Sequence, residues 1–409
     1  ASEMVIRDWS SDVCSSDRLV RFIATGSGLW LLRRSDSISR DGLAVALEGF
    51  QSQVFMGFAE FEDDSRGSWT GLHDLLGGRG VPDLAAALVD LRYAELYTAL
   101  GKAYPPAYFS LAPESAACVP DEEAIRVLVE RIVVEAGMEP MAAAGAGSIV
   151  AASVATAAAA VALAARRSPA PASIAASDVA GLSAGGEPAE AAGTTGEAGG
   201  SPDARRDGAT DRTGQAVVPG GAGRSSPLTR IADRLAADPA GMAALAALAP
   251  LVPFGRVALA GQEADSPAAA SAACLVDRWQ LERKLAEAIT GAGLSADASR
   301  LAANLACLVF LRPSLSGITD PEPFAEALAS DSDLRAFMGV HEWDGIDWFN
   351  AERYRLVTAV FAAAAVVLGG RNPQRIVSAL DRLDEAATGS GWRLQSFMDT
   401  VRSAEEPYV

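Results

Sequence analysis

The sequence predicts a mainly α-helical protein, with two helical blocks separated by a disordered tract rich in Ala, Gly, Ser and Pro. Three observations support this prediction. Apolar residues recur every three or four positions along much of the chain, which is the period of an amphipathic helix. Residues 227–404 contain no run of strands with alternating polarity. Finally, residues 110–253 contain no Phe, Trp or Tyr, so the packed mass must lie mainly in the two flanking blocks.

The first seventeen residues do not belong to the predicted fold. Residues 8–17, DWSSDVCSSD, match the translation of a common sequencing-library adapter over ten consecutive positions. We therefore set residues 1–17 aside as adapter-derived, so that Trp9 and Cys14 carry no functional weight. We also expect that the native N-terminal part of the protein is missing from this sequence.

Block one covers residues 18–140, and its apolar spacing predicts helices. Residues 42–60 place apolar side chains at near-helical intervals. Residues 75–91 read as a glycine-rich loop followed by a helix. Acidic residues at 121–123 open a further helix, because carboxylates favour the positive end of the helix dipole. Gly137 and Pro140 end that helix.

Residues 141–226 are predicted to be an Ala-rich and disordered linker. Residues 148–165 approach the length of a membrane span, which needs roughly 20 apolar residues. They are mostly Ala, which contributes little to insertion, so a soluble helix or a disordered tract is the favoured interpretation and a membrane anchor is the alternative. Residues 168–226 cannot bury enough apolar area to offset the entropy of ordering, which predicts disorder.

Block two, residues 227–404, is predicted to be all-α. Caps, apolar stripes and Gly or Pro stops define its helices. Four helices are predicted with both ends: 276–289, 332–338, 351–368 (capped by Asn350) and 392–401. Another is capped by Ser295 or Asp297 and stops before Pro313. A short helix begins at Pro321, and a further one begins at Pro373.

Charge and cysteine content limit the partners. The net charge of −18 and the absence of basic clusters exclude a nucleic-acid binder, which needs a basic patch. Cys118, Cys274 and Cys307 are far apart and set among apolar residues, which indicates buried, reduced thiols and a cytoplasmic location.

The sequence contains no recognisable catalytic motif or cofactor-binding loop, so we predict no catalytic residue, no cofactor and no metal. Residues 339–350, GVHEWDGIDWFN, are predicted to form a polar turn between two helices. A metal bound by His341, Glu342, Asp344 and Asp347 is the disfavoured alternative.

The same segment concentrates aromatic residues, which predicts either packing under the helix 351–368 or a platform on which sugar rings stack. The packing interpretation buries Trp348 and Phe349 against helices 276–289 and 351–368. It leaves Trp343 at the surface as the single candidate carbohydrate contact.

Four stretches together resemble the C-terminal region of long bacterial α-amylase-like glycoside hydrolases. They are FQSQVFMGFAEFEDD (50–64), LLGGRGVPDLAAAL (75–88), DRWQLERKLAEAI (277–289) and GVHEWDGIDWFNAERY (339–354). The family's catalytic Arg-x-Asp strand, acid Glu and His-Asp pair cannot be placed in this sequence. The resemblance therefore implies a non-catalytic accessory region that packs on a missing N-terminal catalytic barrel, within a parent enzyme acting on α-glucans.

The chain by itself is thus expected not to be an enzyme, with the missing barrel and an α-glucan as its partners. Two alternatives from other classes remain open. One is a helical protein-interaction scaffold with no role in sugar binding. The other is a helical protein tethered to a membrane through residues 148–165.

Overall fold

The computed structural model describes residues 2–6, 18–47, 52–110, 119–141, 143–166, 225–263, 271–368 and 370–403. Over these residues it contains seventeen α-helices, one 3₁₀ helix and seven β-strands. The prediction of a mainly α-helical protein is confirmed, although a small sheet is also present. The tract predicted to be disordered lies for the most part at 167–224, outside the described residues.

The N-terminal part combines short strands with three helices. The strands are β1 (Ser2–Ile6), β2 (Arg18–Ala24), β3 (Leu29–Arg34), β4 (Leu43–Leu47) and β5 (Phe55–Glu62), and the helices are α1 (Ser35–Asp41), α2 (Ser68–Leu76) and α3 (Leu84–Arg92). An antiparallel sheet has the order β3-β2-β5, and β1 pairs separately with β4. The backbone of β1 thus forms a strand within the segment that the sequence analysis set aside.

The helix predicted over 42–60 is wrong, because β4 and β5 occupy this region. The apolar spacing of the region also suits alternation, and antiparallel pairing of β4 with β1 and of β5 with β2 decides in favour of strands. Gly57 has a φ of 67° beside a register shift between Arg21 and Ile23, a conformation that an α-helix excludes.

Both faces of the three-stranded sheet are covered. Leu19 and Leu32 pack against the leucines of α2 and α3 on one face. Val20 and Phe22 pack on the other face with Ile38 of α1 and with β4. The sheet therefore has its own small core on each side.

The helical body follows. Its helices are α4 (Ala94–Ala103), α5 (Pro106–Phe109), α6 (Glu122–Glu135), α7 (Ala143–Ala164), α8 (Pro227–Ala236), α9 (Pro239–Glu263), α10 (Ala272–Arg278), α11 (Leu281–Gly291), α12 (Ala296–Phe310), α13 (Pro321–Ser330), α14 (Ser332–Phe337), α15 (Ala351–Val367), α16 (Pro373–Gly389) and α17 (Leu394–Ser403). A 3₁₀ helix covers Pro313–Gly317, and two short strands, β6 (His341–Trp343) and β7 (Ile346–Trp348), lie between α14 and α15.

One hydrophobic core runs through this body. It extends from Tyr93 to Val401 and takes in residues from both predicted blocks, including α6 and α7 on one side and α9, α12 and α15 on the other. Helix α7 forms within the range predicted as a linker and packs against α6 and α9. The described parts of the two blocks are therefore joined by a shared interior.

Among the residues that the structure describes, two helices are long and apolar enough to cross a membrane. Within α7, the stretch Gly145–Ala164 is 39% buried inside the protein, whereas Pro239–Gln262 in α9 is 83% buried. Helix α9 also contains Pro250 and Pro253, and it is surrounded by other helices, as a core helix of a globular protein is.

An ion-pair cluster joins the N-terminal part to the helical body. Asp90 of α3 lies 2.6 Å from Nη2 of Arg283 and 2.8 Å from Nζ of Lys284, both on α11. The Lys284 ammonium also lies 4.7 Å from the centre of the Tyr97 ring. These contacts fix α11 against α3, and α11 in turn borders the site described below.

Most predicted helix starts in block two are confirmed. Ser295 caps α12, Asn350 caps α15 and Asn372 caps α16, each through its side-chain oxygen. The predicted helix 276–289 is wrong as one piece, because the chain breaks between α10 and α11. Gln280 adopts a φ of 43° there, which a continuous helix cannot accommodate.

Candidate functional site

The segment 339–350 is the centre of the candidate site, and it forms a β-hairpin where a turn between helices was predicted. Strands β6 and β7 are antiparallel and joined by Asp344 and Gly345. Both residues have positive φ, 54° and 72°, as a two-residue type I′ turn requires. The prediction that block two is all-α is corrected by this hairpin.

The register of the hairpin sorts its side chains onto two faces. His341 lies opposite Trp348, and Trp343 lies opposite Ile346. Because opposed residues share a face and successive residues alternate, these four side chains form one apolar face. The remaining pair, Glu342 and Asp347, lies on the other face.

The base of the hairpin is held firmly. The Asp347 carboxylate accepts a hydrogen bond of 2.8 Å from Nη2 of Arg335 in α14. The backbone N–H of Asn350 donates to the carbonyl of Met338, and that of Phe349 donates to the carbonyl of Trp392, both at 3.0 Å. The hairpin is thereby fixed at the junction of α14, α15 and the segment before α17.

The prediction for Phe349 is confirmed in its burial, since the side chain is only 4% exposed. Its ring contacts Tyr354 of α15, and also Trp392 and Phe397, with centroid distances of 5.4–5.7 Å. We call Phe349, Tyr354, Trp392 and Phe397 the aromatic cluster. Phe349 is therefore buried by these rings, whereas the sequence analysis predicted packing against helices 276–289 and 351–368.

The other two tryptophans of the hairpin differ in exposure. Trp348 is half-buried, so its predicted burial is only partly correct. Its indole Nε1 is enclosed, with no hydrogen-bond partner among the described residues. Trp343 is 68% exposed, as predicted for the candidate carbohydrate contact.

An open groove of about 1640 Å³ lies beside the apolar face of the hairpin. Trp343, Trp348 and His341 line it from the hairpin, and Trp392 lines it from the segment before α17. The opposite side is formed mainly by α12 and the ends of α10, α11 and α14. Polar side chains there include Asp277, Glu282, Asp297, Arg300, Asn304, Arg312 and Asp333. We call this cavity the hairpin groove.

Most charges along the hairpin groove neutralise one another. The Arg312 guanidinium binds Asp331 through Nε and Nη2, at 2.7 and 2.8 Å, and Asp333 at 2.7 Å. Arg300 pairs with Asp297 in the same manner. The surface offered to a ligand is therefore strongly polar but has little net charge.

Arg312 and Asn304 also form hydrogen bonds that hold the helices around the groove in place. Hydrogen bonds from Arg312 hold the pKa of Asp331 below its ordinary value, although partial burial opposes this shift. The Asp331 carboxylate also caps α14 by accepting from the N–H groups of Asp333 and Leu334. Asn304 donates to Oε1 of Glu282 at 3.2 Å and so links α12 to α11 along the groove.

The alternative of a metal held by His341, Glu342, Asp344 and Asp347 has no support in the geometry. Glu342 and Asp347 lie on the hairpin face opposite His341, and Asp347 is bound to Arg335. Nδ1 of His341 lies 3.0 Å from the carbonyl of Gly339, to which it can only donate. Across the residues that the structure describes, no group of three or more His, Cys, Asp or Glu side chains could hold a metal ion.

The sequence predicted buried cysteines; this is confirmed for Cys307 and wrong for Cys274. Cys307 is buried, and desolvation raises the pKa of its thiol well above the ordinary range. Cys274 is exposed, because α10 turns this position towards solvent. Cys118 lies outside the described residues.

Sequence reasoning identified Trp343 but missed the side chains that face it across the groove. Asp277, Glu282 and Asn304 come from three different helices, and no spacing along the chain connects them to residue 343. The signal that was available is the dipeptide Asp344-Gly345 between two short runs of β-forming residues, which indicates a two-residue hairpin.

Comparisons of the chain with protein-family models, with curated proteins and with solved structures found no match.

Proposed function

We propose that this chain is a non-catalytic helical accessory region that binds carbohydrate in the hairpin groove, with Trp343 as the stacking platform. The observation that supports this proposal is the exposure of Trp343, 68%, on the hairpin face that borders a polar groove. A sugar ring has one face of C–H groups that packs on an indole, while its hydroxyls bond to carboxylates and amides. The hairpin groove offers both kinds of surface side by side.

The groove is better suited to binding a sugar than to cleaving one. Glycoside hydrolysis needs a protonated carboxyl group with a raised pKa and a second carboxylate facing it across the scissile bond. Burial raises the pKa of the Asp384 carboxyl group, which is the direction that an acid catalyst needs. It lies away from the groove, at 2.7 Å from Arg234. Two of the groove carboxylates, Asp297 and Asp333, are held in arginine pairs.

The wider setting that we propose is an α-amylase-like glycoside hydrolase, with an α-glucan as the ligand. The hairpin lies inside GVHEWDGIDWFNAERY (339–354), one of the four stretches that carry the resemblance to that family. In this proposal the catalytic barrel belongs to a longer protein, and the present chain packs on it and holds a glucan chain near it.

Calorimetric titration of the full chain with maltoheptaose tests the proposal. We expect saturable binding, and we expect Trp343→Ala to weaken it by at least tenfold because the stacking surface is lost. Trp343→Phe keeps an aromatic face and should retain most of the affinity. Leu75→Ala, at a side chain of α2 that is 57% exposed, is the control and should change nothing.

Two outcomes would contradict the proposal. Equal affinity of the wild type and Trp343→Ala would remove the platform from the binding site. Release of shorter maltooligosaccharides by the purified chain, followed by chromatography, would show that the chain is catalytic.

A protein-interaction scaffold is the second candidate, and strand β5 is the feature that favours it. β5 is an outer strand of its sheet; Met56 within it is 57% exposed, and Val54 just before it is 54% exposed. Exposed apolar residues at a sheet edge suit pairing with another chain. This candidate is favoured if maltoheptaose does not bind, if the wild type self-associates in sedimentation velocity, and if Met56→Lys abolishes that self-association.

A further inference from the structure

A second cavity of about 690 Å³ adjoins the hairpin groove. Val276, Asp277, Glu282 and Arg300 line both cavities, so the two meet along this shared border. The second cavity runs between α11 and the start of α12, where Thr290 and Ala296 line it. We call it the side cavity. We call the two adjoining cavities together the channel; it reaches from the hairpin to the α11–α12 side of the helical body.

The size and shape of this channel point to an elongated ligand. The hairpin groove alone exceeds the roughly 300–1,000 Å³ of an ordinary small-molecule pocket. Both cavities are open to solvent. A ligand lying in the channel could therefore extend beyond it, as the interior of a polymer chain does.

The chemistry changes along the channel in a way that suits a neutral, hydroxyl-rich chain. The hairpin end is aromatic, the shared border carries the carboxylates of Asp277 and Glu282, and the far end has the Thr290 hydroxyl. Arginines and carboxylates nearly balance along the channel, so its lining offers a polyanion no excess of positive charge, and the chain carries a net charge of −18. At the far end, Arg283 links α11 to Asp90 of α3 and also binds Glu287 at 2.7 Å.

We infer that the channel binds the interior of a linear oligosaccharide chain, stacked at Trp343 and hydrogen-bonded along α11 and α12, and does not select a single sugar or a chain end. This inference rests on the proposed carbohydrate binding and adds the length of chain that the site recognises. It assigns the side cavity to sugar units that lie beyond those held at the hairpin.

A series of oligosaccharides of different lengths, titrated into the full chain, tests the inference. We expect maltoheptaose to bind at least tenfold more tightly than maltotriose. Ala296→Trp fills the side cavity, and it should reduce the affinity for maltoheptaose to that for maltotriose while leaving maltotriose unaffected. Ala296 is exposed and follows the cap of α12, so a larger side chain there displaces no core residue.

The matched control is Ala85→Trp. Ala85 is also an exposed alanine in the first turn of a capped helix, α3, but it does not line the channel. It should leave both affinities unchanged. Trp343→Ala should weaken the binding of both oligosaccharides, because both use the hairpin end.

The results separate the two proposals. If no oligosaccharide binds, the proposed function fails and the inference fails with it. If binding depends on Trp343 but is equal for the two lengths and insensitive to Ala296→Trp, the inference alone is overturned. Cellotriose and cellohexaose form the second arm. A length dependence seen only with them would keep the extended-chain site and overturn the assignment of the ligand as an α-glucan.

Discussion

The base and the tip of one hairpin place the same kind of side chain in opposite environments. Phe349 at the base is 4% exposed, whereas Trp343 near the tip is 68% exposed, and six positions separate them. The base is surrounded by the aromatic cluster and by backbone hydrogen bonds. The tip projects beside the hairpin groove. Aromatic content alone therefore does not show which ring is buried and which is exposed; the position of each ring along the hairpin does.

The sharpest test of the comparison is Phe349→Ala at the base. We expect the free energy of unfolding to fall by about 3–5 kcal/mol, since truncation of a buried Phe removes apolar burial and leaves a cavity. Urea unfolding followed by circular dichroism measures this. Phe58→Ala, at a ring of β5 that is 40% exposed, is the control and should cost clearly less. A loss below about 1 kcal/mol at residue 349 would mean that the aromatic cluster does not hold the hairpin.

The ion pairs of Arg312 with Asp331 and Asp333 should make the next largest contribution to the free energy of unfolding, and this contribution should depend on pH. The pKa of Asp331 is lowered in the folded protein, chiefly by hydrogen bonds from Arg312. A depressed folded pKa stabilises the protein above the unfolded value of about 3.9. This stabilisation is then lost as the pH falls below that value, through the lower folded pKa.

Asp331→Asn checks this, because Asn still caps a helix but carries no charge. At pH 7 we expect a loss of about 1–2 kcal/mol, since hydrogen bonds to charged groups contribute about 1.5–3 kcal/mol and this pair is partly exposed. At pH 3 the difference between wild type and variant in urea unfolding should shrink. A difference that stays constant between pH 7 and pH 3 would assign the effect to something other than the Asp331 charge.

The sequence predicted elements well wherever a local signal decided the structure. The caps at Ser295, Asn350 and Asn372 are local, since each side chain bonds an N–H two or three residues further along. The stripe of Ile125, Leu128 and Ile132 in α6 is buried in full for the same reason. Such signals need only one turn of helix to be read correctly.

The sequence predicted poorly wherever distant residues decided the structure. Strand β5 forms because β2 pairs with it from more than thirty residues away, and helical spacing within 42–60 carries no trace of that partner. The channel is assembled from α10, α11, α12 and the hairpin in the same way. Of the candidate site, the exposed Trp343 could be predicted from its acidic neighbours, but the groove beside it could not.

The smallest expected change in stability belongs to Trp343→Ala at the tip. Because most of this side chain is already in water, its removal should alter the free energy of unfolding by no more than about 0.5 kcal/mol, as for other exposed positions. The turn itself is specified by Asp344 and Gly345, whose positive φ angles do not depend on the indole. Urea unfolding of the variant beside Phe349→Ala gives the comparison directly. A loss of 2 kcal/mol or more at residue 343 would show that the indole packs on the protein in solution. In that case the tip would be part of the core, and the stacking surface on which the sugar-binding proposal depends would not exist.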